Sequence, residues 1–145
     1  GMGTTTIALL IKDDAAFFAH VGDSRAYLVR GKLVQQVSED HSLVNEQIKA
    51  GMITPDEARH SRYKNIITRS VGFEQEVMVD VMGLVCEPGD TFVLCSDGMS
   101  NLVEDHEILE LASSPELASV PKGLVDLANE RGGDDNITVI AVRTL

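Results

Sequence analysis

The strongest constraint on the fold is a pair of acidic motifs, each placed at one end of an apolar, β-prone run. Ser96-Asp97-Gly98 follows the run Phe92–Cys95, and Gly133-Asp134-Asp135-Asn136 precedes the run Ile137–Ile140. One carboxylate therefore follows its strand and the other precedes its strand. Carboxylate oxygens are the ligands that Mg²⁺ and Mn²⁺ prefer. Asp-Gly and Asp-Asn alone are ordinary turn dipeptides, but the two motifs together predict a cation site at the strand ends.

A third acidic motif follows an earlier apolar run. Gly22-Asp23-Ser24 comes directly after Ala15–Val21, and the glycine permits a close approach of the backbone to a ligand. Each aspartate by itself has a simpler interpretation: Asp23 as a β-bulge or turn residue, and Asp97 and Asp135 as turn and loop residues. Their joint occurrence favours a shared cation site.

Composition excludes several classes of function. The chain has 145 residues, which is one domain or part of one. Its formal net charge of −11 argues against a nucleic-acid partner and against an anionic membrane surface. No apolar run approaches the ~20 residues that a membrane span needs. Cys86 and Cys95 lie in strand-like contexts, so we expect buried free thiols, which fits a reducing cytoplasm.

Hydrophobic periodicity divides the chain into blocks of strands and blocks of helices. The expected strands are Thr4–Ile11, Ala15–Val21, Arg25–Arg30, Leu33–Val37, Val77–Val85, Thr91–Cys95 and Asn136–Arg143. The expected helices are Leu43–Ala50, a segment that begins at Thr54-Pro55, Glu104–Ala112 and Glu116–Asn129. The first four strands are typical of an antiparallel meander. Blocks of this kind indicate an α+β fold rather than repeated βαβ units.

The chain resembles the bacterial members of the type 2C family of metal-dependent protein phosphatases. The resemblance rests on motifs that occur in the family's order along nearly the whole chain. They are Gly3-Thr4-Thr5, Gly22-Asp23-Ser24-Arg25-Ala26-Tyr27, Glu39-Asp40-His41-Ser42, Ile67-Thr68-Arg69-Ser70-Val71-Gly72, Ser96-Asp97-Gly98 and Gly133-Asp134-Asp135-Asn136.

This resemblance implies an antiparallel β-sandwich flanked by helices in α-β-β-α layers. It implies hydrolysis of phosphoserine and phosphothreonine in proteins with Mn²⁺ or Mg²⁺, and phosphoproteins, including substrates of a cognate kinase, as partners. Asp97 and Asp135 match the ligands of the principal metal, and Asp23 matches a ligand of an additional metal. The segment 43–72 matches a flap beside the active site. Its basic residues are the candidates for contact with substrate: Arg59, Arg62, Lys64 and Arg69.

Metal-activated water explains the absence of a protein nucleophile from the sequence. Two cations about 3.5–4 Å apart activate a bridging water and neutralise the phosphoryl oxygens. The chain offers separated aspartates and no Ser-His-Asp pattern. We expect His41 to have a structural role, and we expect His20, His60 and His106 to be exposed or to have hydrogen-bonded rings.

The chain departs from the family pattern at its start. The family's early ligand motifs, including Asp-Gly-Met-Gly-Gly, are missing; Asp97-Gly98-Met99 is followed instead by Ser100-Asn101-Leu102. We therefore expect residues 1–145 to be the C-terminal portion of the catalytic domain, incomplete at its N-terminus. We also expect the isolated chain to be inactive or weakly active and to bind metal weakly. Uncovered sheet edges, with Thr4–Ile11 as one candidate, predict a homodimer.

Two other functions stay open at the level of sequence. The first is a non-catalytic module that binds a phosphoprotein or another protein partner on the same scaffold. The second is an acidic domain that binds Ca²⁺ structurally, but the loops lack the dense oxygen spacing of such sites.

Overall fold

The computed structural model describes residues 2–145. The strands are β1 (Thr6–Lys12), β2 (Ala15–Val21), β3 (Arg25–Arg30), β4 (Leu33–Gln36), β5 (Asp80–Val85), β6 (Thr91–Cys95) and β7 (Val139–Arg143). The helices are α1 (Leu43–Lys49), α2 (Pro55–Arg59), α3 (Asp97–Ser100), α4 (Asp105–Ala112) and α5 (Ser119–Glu130). Within the described range, no helix is both long enough and apolar enough to cross a bilayer.

The strands form two antiparallel sheets that pack face to face. One sheet has the order β1-β2-β5, and the other has the order β4-β3-β6-β7. Phe18 from the first sheet meets Phe92 from the second edge-to-face, with ring centroids 5.7 Å apart. Ala26 and Leu94 complete this buried layer. The expected α+β fold with an antiparallel β-sandwich is confirmed.

A second core lies on the opposite face of the four-stranded sheet. Tyr27 and Val93 point away from the sandwich and pack against Ile108 of α4 and Leu124 of α5. All four side chains are almost completely buried, and each large apolar side chain contributes about 1.5–3 kcal/mol of burial free energy. The strand β6 is therefore buried on both faces, which makes it a rigid support for the loop that follows it.

The predicted four-stranded meander is wrong. The strands β1 and β2 form one hairpin and β3 and β4 form another, but the two hairpins lie in different sheets. The chain crosses between the sheets at Gly22, which has a φ of +112°. A Cβ atom there would lie 2.3 Å from Cγ2 of Thr5, so only glycine fits both the backbone conformation and the space.

Several predicted boundaries also differ from the structure. Thr4 lies outside β1 and forms an isolated bridge with Val71, so β1 begins at Thr6. Residues 77–79 are not part of β5. The short helix α3 was not predicted, because four residues are too few to show a helical period.

The segment 43–72 carries α1 and α2. One isolated bridge closes the base of this segment, and a second joins its end to the start of the chain. Ser42 bridges Ile67 and Thr4 bridges Val71, while the N–H of Leu43 donates to the carbonyl of Ile66 over 2.9 Å. The side chain of Thr54 and that of Glu57 form a capping box that fixes the start of α2. This segment therefore folds over one end of the sandwich.

Candidate metal centre

Asp23 occupies the crossing between the two sheets. It follows Gly22, and its neighbour Ser24 exchanges a hydrogen bond of 2.9 Å with the Thr5 hydroxyl. Only 9% of the Asp23 surface is exposed. The crossing therefore holds a carboxylate in a nearly dry position at one end of the sandwich.

Asp97 is held by the residue before it. Ser96 is the N-cap residue of α3, and its hydroxyl donates to the carbonyl of Asn136 and accepts from the N–H of Thr138, both over 3.0 Å. The N–H of Ser96 also donates to the carbonyl of Thr138 over 3.1 Å. These bonds join the start of α3 to the loop that precedes β7.

Asp135 lies in that same loop, and Gly98 sets its distance from α3. A Cβ atom on Gly98 would lie 2.5 Å from the carbonyl oxygen of Asn136 and 3.4 Å from the carbonyl carbon of Asp135. The backbones of the two aspartate motifs are therefore in direct contact. The Asp135 carboxylate accepts a hydrogen bond of 2.7 Å from the N–H of Asn136.

Burial, followed by the charge of Asp97, raises the pKa of Asp23 above its ordinary value of 3.8. Asp23 and Asp97 also line the same cleft. Among the ion pairs formed by residues 2–145, none involves Asp23, Asp97 or Asp135. Two carboxylates that repel each other and lack a basic partner are a favourable place for a cation.

The guanidinium of Arg25, the basic group nearest to Asp23 in sequence, is paired with Asp40. Arg25 is adjacent to the site in sequence, but its Nε and Nη2 atoms donate to the two oxygens of Asp40 over 2.9 and 2.7 Å. Its Nη1 atom donates to the Tyr27 hydroxyl over 3.2 Å. This bidentate pair is geometrically fixed, so Arg25 forms no ion pair with Asp23, and its charge only partly opposes the rise in the pKa of Asp23.

The donor set fits a hard cation that keeps several of its waters. Mg²⁺ typically binds through one or two carboxylates plus water and substrate oxygens, which matches Asp23 and Asp97. Within residues 2–145 there is no group of three or more His, Cys, Asp or Glu side chains arranged to hold a metal ion. Asp135 approaches through its backbone and does not line the cleft.

The cleft runs from Asp23 and Asp97 toward the segment 43–72 and has a volume of about 720 Å³. Of the four basic residues proposed to contact substrate, Arg59 and Lys64 line it. Arg59 also forms an exposed ion pair of 3.2 Å with Glu104 across the cleft. Arg62 lies instead over the ring of Tyr63, and Arg69 forms an ion pair of 2.6 Å with Asp80.

Comparison with known proteins decides the family. A model of the protein phosphatase 2C family matches residues 1–134. The chain belongs to the protein phosphatase 2C family.

The relatives of this phosphatase 2C chain are bacterial. It is 47% identical over 143 residues to protein phosphatase PhpP of Streptococcus pneumoniae, a match that covers 98% of this chain and 58% of that protein. A structure of the S. agalactiae serine/threonine phosphatase has a TM-score of 0.95 at 43% identity and covers 100% of this chain and 60% of that one. A crystal structure of the catalytic domain of PstP in complex with 2 manganese ions has a TM-score of 0.89 at 37% identity, covering 100% of this chain and 60% of that one. The chain thus spans less than two thirds of the length of these relatives.

Two features of the candidate site were not predicted from the sequence. The Arg25–Asp40 pair joins two motifs that are separate in the sequence, and the ring of His41 accepts a hydrogen bond from the N–H of Gly22 over 2.9 Å. Both contacts link the segment after β4 to the crossing at Asp23. The only signal was that the two motifs occur in the family's order, because periodicity does not report contacts between distant loops.

The prediction for His20 is wrong. Its side chain is completely buried, and neither ring nitrogen has a hydrogen-bond partner within the described residues. Its ring stacks on His41 with centroids 4.8 Å apart. Burial, followed by the neighbouring His41, lowers the pKa of His20 below 6.5.

Proposed function

We propose that this chain supplies metal ligands and part of the substrate cleft of a phosphatase that hydrolyses phosphoserine and phosphothreonine in proteins. The observation that carries the proposal is the position of Asp23 and Asp97 on one cleft, where the charge of Asp97 raises the pKa of Asp23 and no basic partner separates them. The loop of Asp135 is held against α3 by Ser96. The names of the relatives as serine/threonine phosphatases support the reaction class.

Divalent cations, Mn²⁺ or Mg²⁺, would be held by Asp97, Asp135 and Asp23, and when bound they would activate water and neutralise phosphoryl charge. The chain's own residues prepare the site. The guanidinium of Arg25 lines the same cleft but is paired with Asp40, so it leaves the carboxylates of Asp23 and Asp97 without an ion-pair partner. Burial raises the pKa of Cys95 to about 12, so no thiolate competes as a nucleophile. The two manganese ions in the related PstP structure support the metal assignment.

Substrate contact is proposed mainly for Arg59 and Lys64, because both line the cleft. A phosphorylated side chain that approaches Asp23 and Asp97 passes these two cations. Arg62 and Arg69 remain weaker candidates, since neither lines the cleft and Arg69 is bound to Asp80. Phosphorylated proteins, including those made by a cognate kinase, are the partners that this cleft suits. The free thiols of Cys86 and Cys95 support a cytoplasmic location.

A chimera tests the proposed reaction. The matching segment of PhpP, 143 residues long, is replaced by the corresponding residues of this chain, and Mn²⁺-dependent release of phosphate from a phosphothreonine peptide is measured. We expect turnover that Asp97→Ala lowers by at least roughly 100-fold. Asp134→Ala, at an exposed aspartate in the same loop as Asp135, is the matched control and should keep activity. A folded chimera that binds Mn²⁺ but releases no phosphate contradicts the proposal.

The isolated 145-residue chain is proposed to turn over little substrate and to bind metal weakly. The reason is that residues 2–145 lack a group of three side chains arranged around one ion. A steady-state assay with para-nitrophenyl phosphate and Mn²⁺ measures this. Robust turnover that Asp97→Ala abolishes would overturn the proposed inactivity while supporting the site.

The lack of a group of three metal-ligating side chains among residues 2–145 also favours a second candidate, a module that binds phosphoproteins without hydrolysis. A titration of the isolated chain with a phosphothreonine peptide separates the two. Tight binding without Mn²⁺, unaffected by Asp97→Ala, favours the module. Binding that requires Mn²⁺ and Asp97 favours the enzyme.

Self-association is the remaining part of the proposal. The strand β1 is an edge of its sheet, and the outward face of that sheet exposes Leu10, Phe17, Val81 and Val85. An unpaired edge beside an apolar face favours pairing with a second copy. We propose a homodimer through this face and edge.

A further inference from the structure

We propose that His41 is a positioning residue that fixes the Asp23 crossing by holding Gly22 at two points. The N–H of Gly22 donates to Nδ1 of His41 over 2.9 Å, and the N–H of His41 donates to the carbonyl of Gly22 over 2.8 Å. Both peptide groups of the residue before the proposed ligand are thereby bound to one histidine. This inference rests on the proposed function only in treating Asp23 as a metal ligand.

The hydrogen bonds define which ring nitrogen carries the proton. Because Nδ1 accepts from Gly22, the neutral ring is protonated at Nε2, which donates to Oδ2 of Asp80 over 3.0 Å. Nη1 of Arg69 donates to the other oxygen of Asp80 over 2.6 Å. The same atom lies 2.9 Å from Nε2 of His41, but both nitrogens carry protons, so Asp80 is the acceptor for both. The bond from His41 is the main reason that the pKa of Asp80 lies below its ordinary value. Asp80 therefore orients the ring so that Nδ1 faces Gly22.

Neighbouring residues hold both the ring and the backbone of His41. The ring of His20 stacks on the ring of His41 with centroids 4.8 Å apart, and His41 is only 6% exposed. The carbonyl of His41 accepts from the N–H of Thr68 over 2.9 Å. His41 therefore connects the crossing at Gly22 to the end of the segment 43–72 at Thr68.

This arrangement predicts that the acceptor at Nδ1, rather than the bulk of the ring, controls the crossing. Asparagine places an oxygen near the position of Nδ1, whereas glutamine places its polar group near Nε2. His41→Asn therefore preserves the acceptor for Gly22, and His41→Gln preserves the contact with Asp80 but removes that acceptor. Both variants replace a buried ring with a smaller side chain, so both should melt at a lower temperature.

The test uses the full chain, labelled with ¹⁵N, and two measurements by NMR. The first is the hydrogen-exchange rate of the Gly22 amide without metal. The second is the affinity for Mn²⁺ alone, measured from the broadening of amide signals next to Asp23. The exposed His106→Asn variant is the control for substitution of a histidine at a distance from the site.

We expect the Gly22 amide to exchange about tenfold faster in His41→Gln, the change that corresponds to one lost hydrogen bond. We expect Mn²⁺ affinity to fall roughly 10-fold or more in the same variant. His41→Asn should stay close to the wild type in both measurements. Equal effects of the two variants, or none, would overturn the inference. Wild-type protein that shows no broadening near Asp23 even at high Mn²⁺ concentration would overturn the assignment of Asp23 as a metal ligand instead, and the amide exchange would still decide the role of His41 at Gly22.

Discussion

Asp23 pairs a functional advantage with a structural cost. Its carboxylate is nearly buried, close to Asp97, and without a basic partner among residues 2–145. A buried charge without a partner destabilises the fold, and a nearby like charge adds to that effect. Sites that bind a cation commonly carry this kind of stored repulsion, because the bound ion removes it.

The first prediction follows from that cost. Asp23→Asn removes the charge while keeping the shape of the side chain, so we expect the metal-free variant to have a higher melting temperature than the wild type. The same variant should gain less stability from added Mn²⁺, because one ligand is lost. Thermal unfolding followed by circular dichroism, with and without Mn²⁺, measures both changes. Asp134→Asn is the control; a lower metal-free melting temperature in Asp23→Asn would contradict the prediction.

His20 gives the second prediction, which concerns pH. Its pKa in the folded protein is below the 6.5 of the unfolded chain, chiefly because of burial and then His41, although the backbone of Ser24 and the charges of Asp40 and Asp80 oppose the shift. The unfolded state therefore binds more protons between these two values, and stability falls as the pH drops below about 6.5. His20→Leu removes two unsatisfied ring nitrogens, so it should flatten this dependence and leave stability at pH 7.5 unchanged or higher.

Chemical denaturation at pH 7.5 and pH 5.5 compares the free energies of unfolding of the two proteins. The expected result is a smaller loss between these pH values for His20→Leu than for the wild type. The exposed His106→Leu variant should behave like the wild type. An equal loss in wild type and His20→Leu would show that His20 does not cause the acid sensitivity.

At the scale of elements, the contact between α3 and the loop before β7 sets how close the Asp135 loop lies to α3. Gly98 leaves no room for a side chain, because its Cβ would lie 2.5 Å from the carbonyl oxygen of Asn136. Gly98→Ala should push the Asp135 loop away from α3 and lower Mn²⁺ affinity by roughly 10-fold or more. Electron paramagnetic resonance of free Mn²⁺ measures the affinity.

The matched control for this prediction is Gly89→Ala, in the turn before β6, where an added Cβ meets nothing within 4 Å. Its φ of +88° makes alanine locally strained, so it controls for lost stability without a clash at the site. Unchanged Mn²⁺ affinity in folded Gly98→Ala would mean that the α3 contact does not position Asp135.

Turn residues at both ends of an apolar run predicted several strands from the sequence, even where burial does not alternate, as in β6, which is buried throughout. The bounds of β2, β3 and β6 agree with the structure, and each has glycine, proline or polar residues at its ends. The sheet assignment could not be predicted in the same way. Whether β2 and β3 pair or separate depends on the positive φ of Gly22 and its contact with Thr5, and a pattern of apolar residues does not contain that information.

The sequence predicted which aspartates form the candidate site but not the contacts that hold them. The three aspartates follow from short motifs and from the resemblance to the family. The contacts that hold them do not, because Ser96 reaches Asn136 and His41 reaches Gly22 across long stretches of sequence. Basic residues that are close in sequence, such as Arg62 and Lys64, also separate in space, since Arg62 turns toward Tyr63.

The whole molecule is asymmetric in how its sheets are covered. The helices α4 and α5 cover the outer face of the four-stranded sheet, whereas the outer face of the three-stranded sheet exposes Leu10 (62%) and Val81 (72%). Leu10 pairs with Phe17 across the hairpin, which makes the apolar surface continuous. Such a surface favours association even though the chain carries a net charge of −11.

The fourth prediction tests that surface. Analytical ultracentrifugation of the 145-residue chain should show a dimer that Leu10→Lys converts to monomer. Leu33→Lys is a matched control, because Leu33 is also largely exposed (73%) but lies on the edge strand of the other sheet. We expect the control to remain dimeric. A wild-type monomer at all concentrations, or a dimer that only Leu33→Lys dissociates, would contradict the proposed interface.

The central proposal is that Asp23 and Asp97, which line one cleft, hold divalent ions together with Asp135, whose loop contacts α3. The most direct measurement is a Mn²⁺ titration of the ¹⁵N-labelled chain, read as paramagnetic broadening of each amide signal. The account predicts that residues 22–24, 96–98 and 134–136 broaden first and together, with all three effects lost in Asp97→Ala. Broadening of only one of these segments, or first broadening at exposed acidic residues elsewhere, would contradict it.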